Sequence, residues 1–315
     1  MSEKILVTGG AGFIGSHLID GLIGKNEIVC VDNFDPYYDP GVKRKNIVKH
    51  LENKKFVLKE TDVRDKKGLE GIFKEGIDKV VHLAAKAGVR FSIENPFMFA
   101  DVNINGTLNL LDLCKAYGIR NFVYASSSSV YGLNKTPFRE DDRVEKQISP
   151  YGTSKRACEL YCQTYSLLYG IPITCLRFFT VYGPRQRPDM AIHKFTKLID
   201  QGKPIEMYGD GKSKRDYTYI TDIVDGVANA LGKKFDFEIF NLGESKTVEL
   251  KYLISLIENN LGKKAGIKRR PDQKGDVPET FADISKSKRL LGYNPKVRIE
   301  EGIKRFIDWY LENKS

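Results

Sequence analysis

Near the N-terminus an apolar run, Lys4-Ile5-Leu6-Val7-Thr8, enters Gly9-Gly10-Ala11-Gly12-Phe13-Ile14-Gly15, and a helical pattern continues over Ser16–Gly24. A strand, a glycine turn and a helix in that order form the setting in which such glycines carry information. Without Cβ atoms the backbone turns tightly and approaches a pyrophosphate at the helix N-terminus, where N–H groups are free to donate. The spacing is G-x-x-G-x-x-G rather than the plain G-x-G-x-x-G. An ordinary glycine-rich turn fits these residues alone. The next strand favours the dinucleotide reading: Ile28–Val31 is apolar and ends in Asp32, 17 residues beyond Gly15. A carboxylate there accepts from both ribose hydroxyls, which favours NAD and repels a 2′-phosphate.

Strand and helix patterns keep alternating. The aromatic, proline-rich loop Phe34–Pro40 and a basic helix lead to a strand at Lys55–Lys59 and then to Asp62-Val63-Arg64-Asp65, suited to an adenine edge. A fourth strand, Lys79–Leu83, runs into Ala84-Ala85-Lys86, where small side chains let a flat cofactor pass. His82, alone on that strand, reads as a hydrogen-bonded core group. A helix is expected over Asp101–Tyr117, a fifth strand over Asn121–Ala125 leading into four serines at 126–129, and a sixth over Ile173–Arg177. This order predicts an α/β fold with a doubly wound parallel sheet, whose ligands bind at the carboxyl ends of the strands. After residue 177 the pattern becomes irregular. A dinucleotide domain is expected over 1–177 with a return near 215–243, and a smaller α/β substrate domain over 178–214 and 244–315.

Tyr151 and Lys155 stand four apart at the start of a segment that reads helical as far as Gly170, so both side chains share one helix face. An ammonium held near a phenol stabilises the phenolate, making Tyr151 a candidate general base with Lys155 lowering its pKa. The spacing alone is common by chance. Its expected place with the serine run and Lys86 on the ligand-binding edge of the sheet gives it weight.

Composition narrows the alternatives. No apolar run reaches the roughly 18–20 residues of a membrane span. The N-terminus lacks the pattern of a secretory signal, so a cytoplasmic protein is expected. Five cysteines, an odd number, at spacings that match no zinc pattern read as buried free thiols, and no metal is expected. The net charge of +10 comes from scattered lysines without a nucleic-acid motif. A diphosphate ligand or a solvated surface accounts for it better than nucleic acid.

Taken together, GGAGFIG, Asp32, DVRD, HLAAKAG, Ser127 with Tyr151 and Lys155, RFFTVYGP and RDYTYITD resemble the extended short-chain dehydrogenase/reductase family over essentially the whole chain. Within it the chain looks like the nucleotide-sugar 4-epimerases. The resemblance implies tightly held NAD, a UDP-sugar substrate and a homodimer. In its terms Tyr151 takes the proton from the sugar O4, Ser127 hydrogen-bonds O4, and Lys155 holds the nicotinamide ribose. The cofactor site would comprise Gly9, Gly12, Phe13, Ile14, Gly15, Asp32, Asn33, Asp62, Val63, Leu83, Ala84, Ala85 and Lys86 with Tyr151 and Lys155. The substrate would meet Ser127, Ser128, Thr180, Arg187, Arg215, Asp276 and Thr280.

Related 4,6-dehydratases carry an Asp-Glu pair directly after the catalytic hydroxyl residue, and related decarboxylases a glutamate at the second place. Here Ser128 and Ser129 stand there, which favours simple C4 epimerisation. The loop Asp32–Pro40 and the run FFTVYGPRQRPDMA look most like the UDP-glucuronate 4-epimerases, with Arg187 as partner of a carboxylate. Threonine at 280, where some glucose-specific relatives have tyrosine, leaves room for UDP-N-acetylglucosamine, and UDP-glucose is also open. The other readings are a dehydratase or decarboxylase of the same family, or a nucleotide-binding protein without turnover.

Overall fold

The computed structural model describes residues 2–271, 273 and 275–314. Its centre is a seven-stranded sheet: β1 Lys4–Thr8, β2 Glu27–Asp32, β3 Phe56–Glu60, β4 Lys79–His82, β5 Asn121–Ser127, β6 Ile173–Phe178 and β7 Phe237–Leu242. The spatial order is β7-β6-β5-β4-β1-β2-β3, and every pairing is parallel. The fold is therefore the expected doubly wound α/β sheet. Helices cover both faces, so the inner strands are apolar almost throughout; every residue of β5 and β6 is buried. The chain leaves β1 in one direction towards β2 and later returns to its other side as β4. This reversal opens a crevice at the carboxyl ends of β1 and β4. Strand β5 runs two residues past the expected end, carrying Ser126 and Ser127 to that edge.

The helix Pro150–Tyr169 shows why sequence and site agree locally. Ser149 caps it by accepting from the Gly152 N–H, Pro150 occupies the first turn, and Gly170 ends it at φ 66°. The sequence predicts one regular helix over Asp101–Tyr117. Instead Ala100–Asn105 is wound as a π-helix and only Gly106–Ala116 is α-helical. The wide turn coincides with Asn103, whose amide donates to the Lys86 carbonyl (3.0 Å) and to Ser154 Oγ (2.9 Å), and whose Oδ1 accepts from the Lys86 N–H (2.8 Å).

Residues beyond β6 add short two-stranded pairs: Thr180–Tyr182 with Tyr217–Tyr219, Ile205–Tyr208 with Ile267–Arg270, and Lys214–Arg215 with Val248–Glu249. Buried Asp216 ties this part together, accepting backbone N–H bonds from Glu244, Ser245 and Ala282. All five cysteines are buried and free. His82 is hydrogen-bonded at both ring nitrogens, to Thr8 (2.7 Å) and Thr107 (3.1 Å), as a core group should be. Among the described residues no helix is long and apolar enough to cross a membrane, and no cluster of side chains suits a metal ion.

Candidate active site

A cleft of about 490 Å³ opens at the carboxyl edge of the sheet. The glycine turn forms its floor. Gly9 sits at φ +67°, and a Cβ there would stand 2.8 Å from the Ala84 nitrogen. A Cβ on Gly15 would stand 2.3 Å from the Gly9 carbonyl oxygen. Both distances are too short for a side chain, so the turn and the β4 end pack backbone to backbone, with Gly9, Gly12, Phe13, Ile14 and Gly15 lining the cleft. This cradle fits a pyrophosphate. At its end lies Asp32, whose carboxylate accepts from the N–H groups of Ala11 (3.1 Å) and Phe34 (2.9 Å). Burial pushes this carboxyl up, and Lys43, 3.8 Å away, opposes the shift.

Asn33, Val63, Leu83, Ala84, Ala85 and Lys86 also line the cleft, whereas Asp62 does not. Asp62 stands behind Asn33, accepting from its amide at 2.8 Å, and hydrogen bonds from Arg64 hold its carboxyl down at about 2. Lys86 points its ammonium at Asp35 (2.7 Å) while Asn103 clamps its backbone from both sides.

Tyr151, Lys155 and Ser127 converge on the same cleft, with Ser128 and Ser129 beside them. Ser127 Oγ also accepts from the Ser129 N–H (3.1 Å), which turns the chain just after β5. The electrostatics differ from expectation. Burial raises the Tyr151 phenol above its ordinary value; the Ser127 hydroxyl and the Arg187 charge oppose this but do not reverse it. Lys155 is not among the groups that oppose the rise. Its ammonium donates to the Ala125 carbonyl (2.6 Å), lies 4.9 Å from the Tyr124 ring centre, and is itself lowered to about 8 by burial.

Thr180, at the start of the Thr180–Tyr182 strand, and Arg187, in the loop that follows it, line the cleft. The Arg187 guanidinium is held side-on by Asp189, from Nε (3.0 Å) and Nη2 (2.8 Å), and lies 5.6 Å from the Tyr37 ring centre. Arg215, Asp276 and Thr280 do not line the cleft. Arg215 bonds the carbonyl of Lys214 (2.9 Å), and Thr280 Oγ1 accepts from the Asp216 N–H (3.3 Å), so strand backbone occupies both side chains. Asp276 pairs with Arg90 (2.9 Å), which stacks 4.4 Å from the Tyr208 ring and directly follows the cleft residue Val89. Of these three, Asp276 is joined to the cleft edge through Arg90.

Sequence reasoning missed Asp35, Tyr38, Lys43 and Asp189, all of which line the cleft. Lys43 reads in the sequence as one of a surface basic cluster. Its signal was the cap: Asp39 accepts from the Gly41 N–H and starts the helix at Pro40, which turns the first-turn Lys43 back towards Asp32.

Sheet order, glycine cradle, terminal Asp32 and the Tyr151–Lys155 face define an extended short-chain dehydrogenase/reductase. More narrowly, the chain belongs to the family described as GDP-mannose 4,6 dehydratase, whose model matches residues 6–306. An uncharacterised protein of Methanocaldococcus jannaschii is 52% identical over 99% of this chain and 98% of its own. The UDP-glucuronate 4-epimerase of Thermodesulfobacterium geofontis is 45% identical, covering 98% of this chain and 96% of its own. Among solved structures, the UDP-glucuronic acid 4-epimerase of Bacillus cereus in complex with UDP-glucuronic acid and NAD superposes with a TM-score of 0.93 at 38% identity, over 98% of this chain and 99% of that one.

Proposed function

We propose that this chain is an NAD-dependent UDP-sugar 4-epimerase acting on UDP-glucuronate. The observation that carries this reading is the joint placement of Tyr151, Ser127 and Arg187 in one cleft, with serines rather than acids at 128 and 129. The likeness to UDP-glucuronate 4-epimerases supports it.

NAD would lie on the Gly9–Gly15 cradle, its adenosine ribose at Asp32 and its nicotinamide ribose at Lys155; when bound it supplies the hydride acceptor at C4 and a positive charge that favours the Tyr151 phenolate. Tyr151 removes the O4 proton and later returns it. Ser127 hydrogen-bonds O4. Arg187 receives the hexuronate carboxylate through the donors that Asp189 leaves free. The transient 4-keto sugar turns within the cleft and is reduced on its other face. Serines at 128 and 129 supply no acid–base pair of the kind that expels water across C5 and C6. Arg90, Arg215 and Asp276 are assigned to the UDP end. We assign residues 1–177 and 215–243 to cofactor binding and the remainder to the sugar nucleotide, in a cytoplasm reducing enough to keep five thiols free.

The test is a panel of UDP-glucuronate, UDP-N-acetylglucosamine and UDP-glucose, supplied without added cofactor and followed by mass and chromatography. The C4 epimer of UDP-glucuronate should form fastest, with no change in mass. Loss of water or carbon dioxide would replace the reading with a dehydratase or decarboxylase.

A homodimer belongs to the same proposal. On the helix Pro150–Tyr169, Leu160, Leu167 and Leu168 form an exposed apolar face, Leu167 at 78% exposure, and Phe97 on the short Pro96–Phe99 turn packed beside that helix is 88% exposed. Side chains of this kind are covered in stable proteins by a second surface. Light scattering should give twice the chain mass for the wild type and a monomer for Leu167→Glu/Leu168→Glu. A wild-type monomer would contradict the assignment.

A further inference from the structure

The loop that delivers Arg187 is tied to the cofactor-binding helix by residues that take no part in the proposed reaction. Phe13–Leu22 presents its N-terminal residues to the cleft, while His17 and Asp20 further along it face the loop at 183–190. His17 Nε2 is 2.9 Å from the Pro184 carbonyl oxygen. Asp20 accepts from Arg185 Nη2 at 2.5 Å, and its other oxygen lies 2.7 Å from His50 Nε2 and 3.0 Å from Lys49 Nζ. Arg185 holds a backbone φ of 61°, a left-handed conformation unusual for a side chain of that size. Such strain persists only where its surroundings over-determine it. Two residues on, Arg187 enters the cleft. Between them Gln186 is buried and donates to the Val181 carbonyl (3.1 Å), while the His193 ring holds the Gln186 carbonyl at 2.6 Å. The loop is thus pinned at the three residues that precede Arg187, and Asp20 is the only carboxylate among the described residues paired with Arg185.

We propose that Asp20 is a positioning residue for Arg187: by fixing Arg185 it sets where the Arg187 guanidinium stands, so that recognition of a charged sugar ring depends on the helix that binds the cofactor. The proposal rests on the UDP-glucuronate reading and deepens it. A guanidinium that meets a carboxylate through two N–H bonds tolerates little displacement, because both bonds lengthen and bend together. Loss of Asp20 should therefore weaken UDP-glucuronate selectively. UDP-glucose, identical except for the carboxylate, should be little affected.

Dissociation constants for UDP-glucuronate and UDP-glucose are measured by calorimetry on the NAD-loaded protein, in a Tyr151→Phe background that slows turnover. The Asp20→Asn variant should lower the preference for UDP-glucuronate about tenfold, given that ångström-scale misplacement costs up to about a hundredfold. Bound NAD and UDP-glucose affinity should stay within about twofold of the parent. Arg185→Asn, which tolerates the left-handed conformation, should do the same and serves if Asp20→Asn fails to fold. Asp20→Glu should restore part of the preference. If Arg187→Ala abolishes the preference while Asp20→Asn and Arg185→Asn keep it, the positioning role is overturned and the substrate reading stands. If Arg187→Ala keeps the preference, the carboxylate reading falls, and the proposal with it. Equal weakening of both ligands, or loss of NAD, in Asp20→Asn would show a general structural role and also overturn it.

Discussion

Tyr151→Phe should lower turnover of UDP-glucuronate by about 10²–10⁴-fold, the usual worth of a positioned general base, while leaving the fold and the retained NAD unchanged. The substitution removes one oxygen. The ring keeps its edge-on packing against Phe99, with centroids 6.0 Å apart. What disappears is the phenol that lines the cleft beside Ser127 and Lys155. Burial raises that phenol in the protein alone, so in the proposed mechanism the positive charge of bound NAD would contribute to its activation. Steady-state rates, with NAD released by denaturation and quantified by absorbance, check this. Activity within about threefold of wild type would assign proton transfer to another group.

The second large effect is on stability. Glu159 and Arg177 form an ion pair at 0% and 1% side-chain exposure, with bonds of 2.8 and 2.9 Å, directly behind the serine run. Ser126 donates to the same carboxylate at 2.6 Å. The pair joins the Pro150–Tyr169 helix to β6 and so holds Tyr151 against the strand that carries Ser127. Glu159→Gln keeps the shape but leaves a buried guanidinium without its counter-charge. It should cost about 3–5 kcal/mol of unfolding free energy at neutral pH, read from urea denaturation; a loss below about 1 kcal/mol would place the pair among the weak surface type. The pH dependence has a definite sign. Burial pushes the Glu159 carboxyl up, but hydrogen bonding and charge from Arg177, with Ser126 and Arg156, outweigh it and hold the group below its ordinary 4.5. A depressed carboxylate stabilises the fold above its unfolded pKa and loses that contribution as pH falls through the native value. The variant should therefore lack this part of the wild-type acid sensitivity.

The core of the fold was legible because its signals are local. The glycine turn, Asp32 at the end of β2 and the capped helix at Ser149–Pro150 each arise from a few neighbouring residues. Their side chains also point where period and backbone direct them, which brought Tyr151, Lys155 and Ser127 to one edge. Asn103 was harder: its wide helical turn answers to Lys86 and Ser154, each distant in sequence. Glu159 and Arg177 read as ordinary charges on a helix and a strand, and only the packing of the two elements buries them. Thr280 is placed differently from Arg187. Likeness to relatives pointed to the sugar, but its hydroxyl is taken by the Asp216 N–H and it does not line the cleft. Arg187 does line the cleft, where Asp189, two residues away in the chain, orients its guanidinium.

The most direct test is to incubate the protein as isolated, with no added NAD, with UDP-glucuronate and to follow the sugar nucleotide by proton NMR and mass spectrometry. The account predicts conversion to an equilibrium mixture with the C4 epimer, at unchanged mass and with no net accumulation of NADH. Release of water or carbon dioxide, or oxidised sugar formed one for one with NADH, would contradict it.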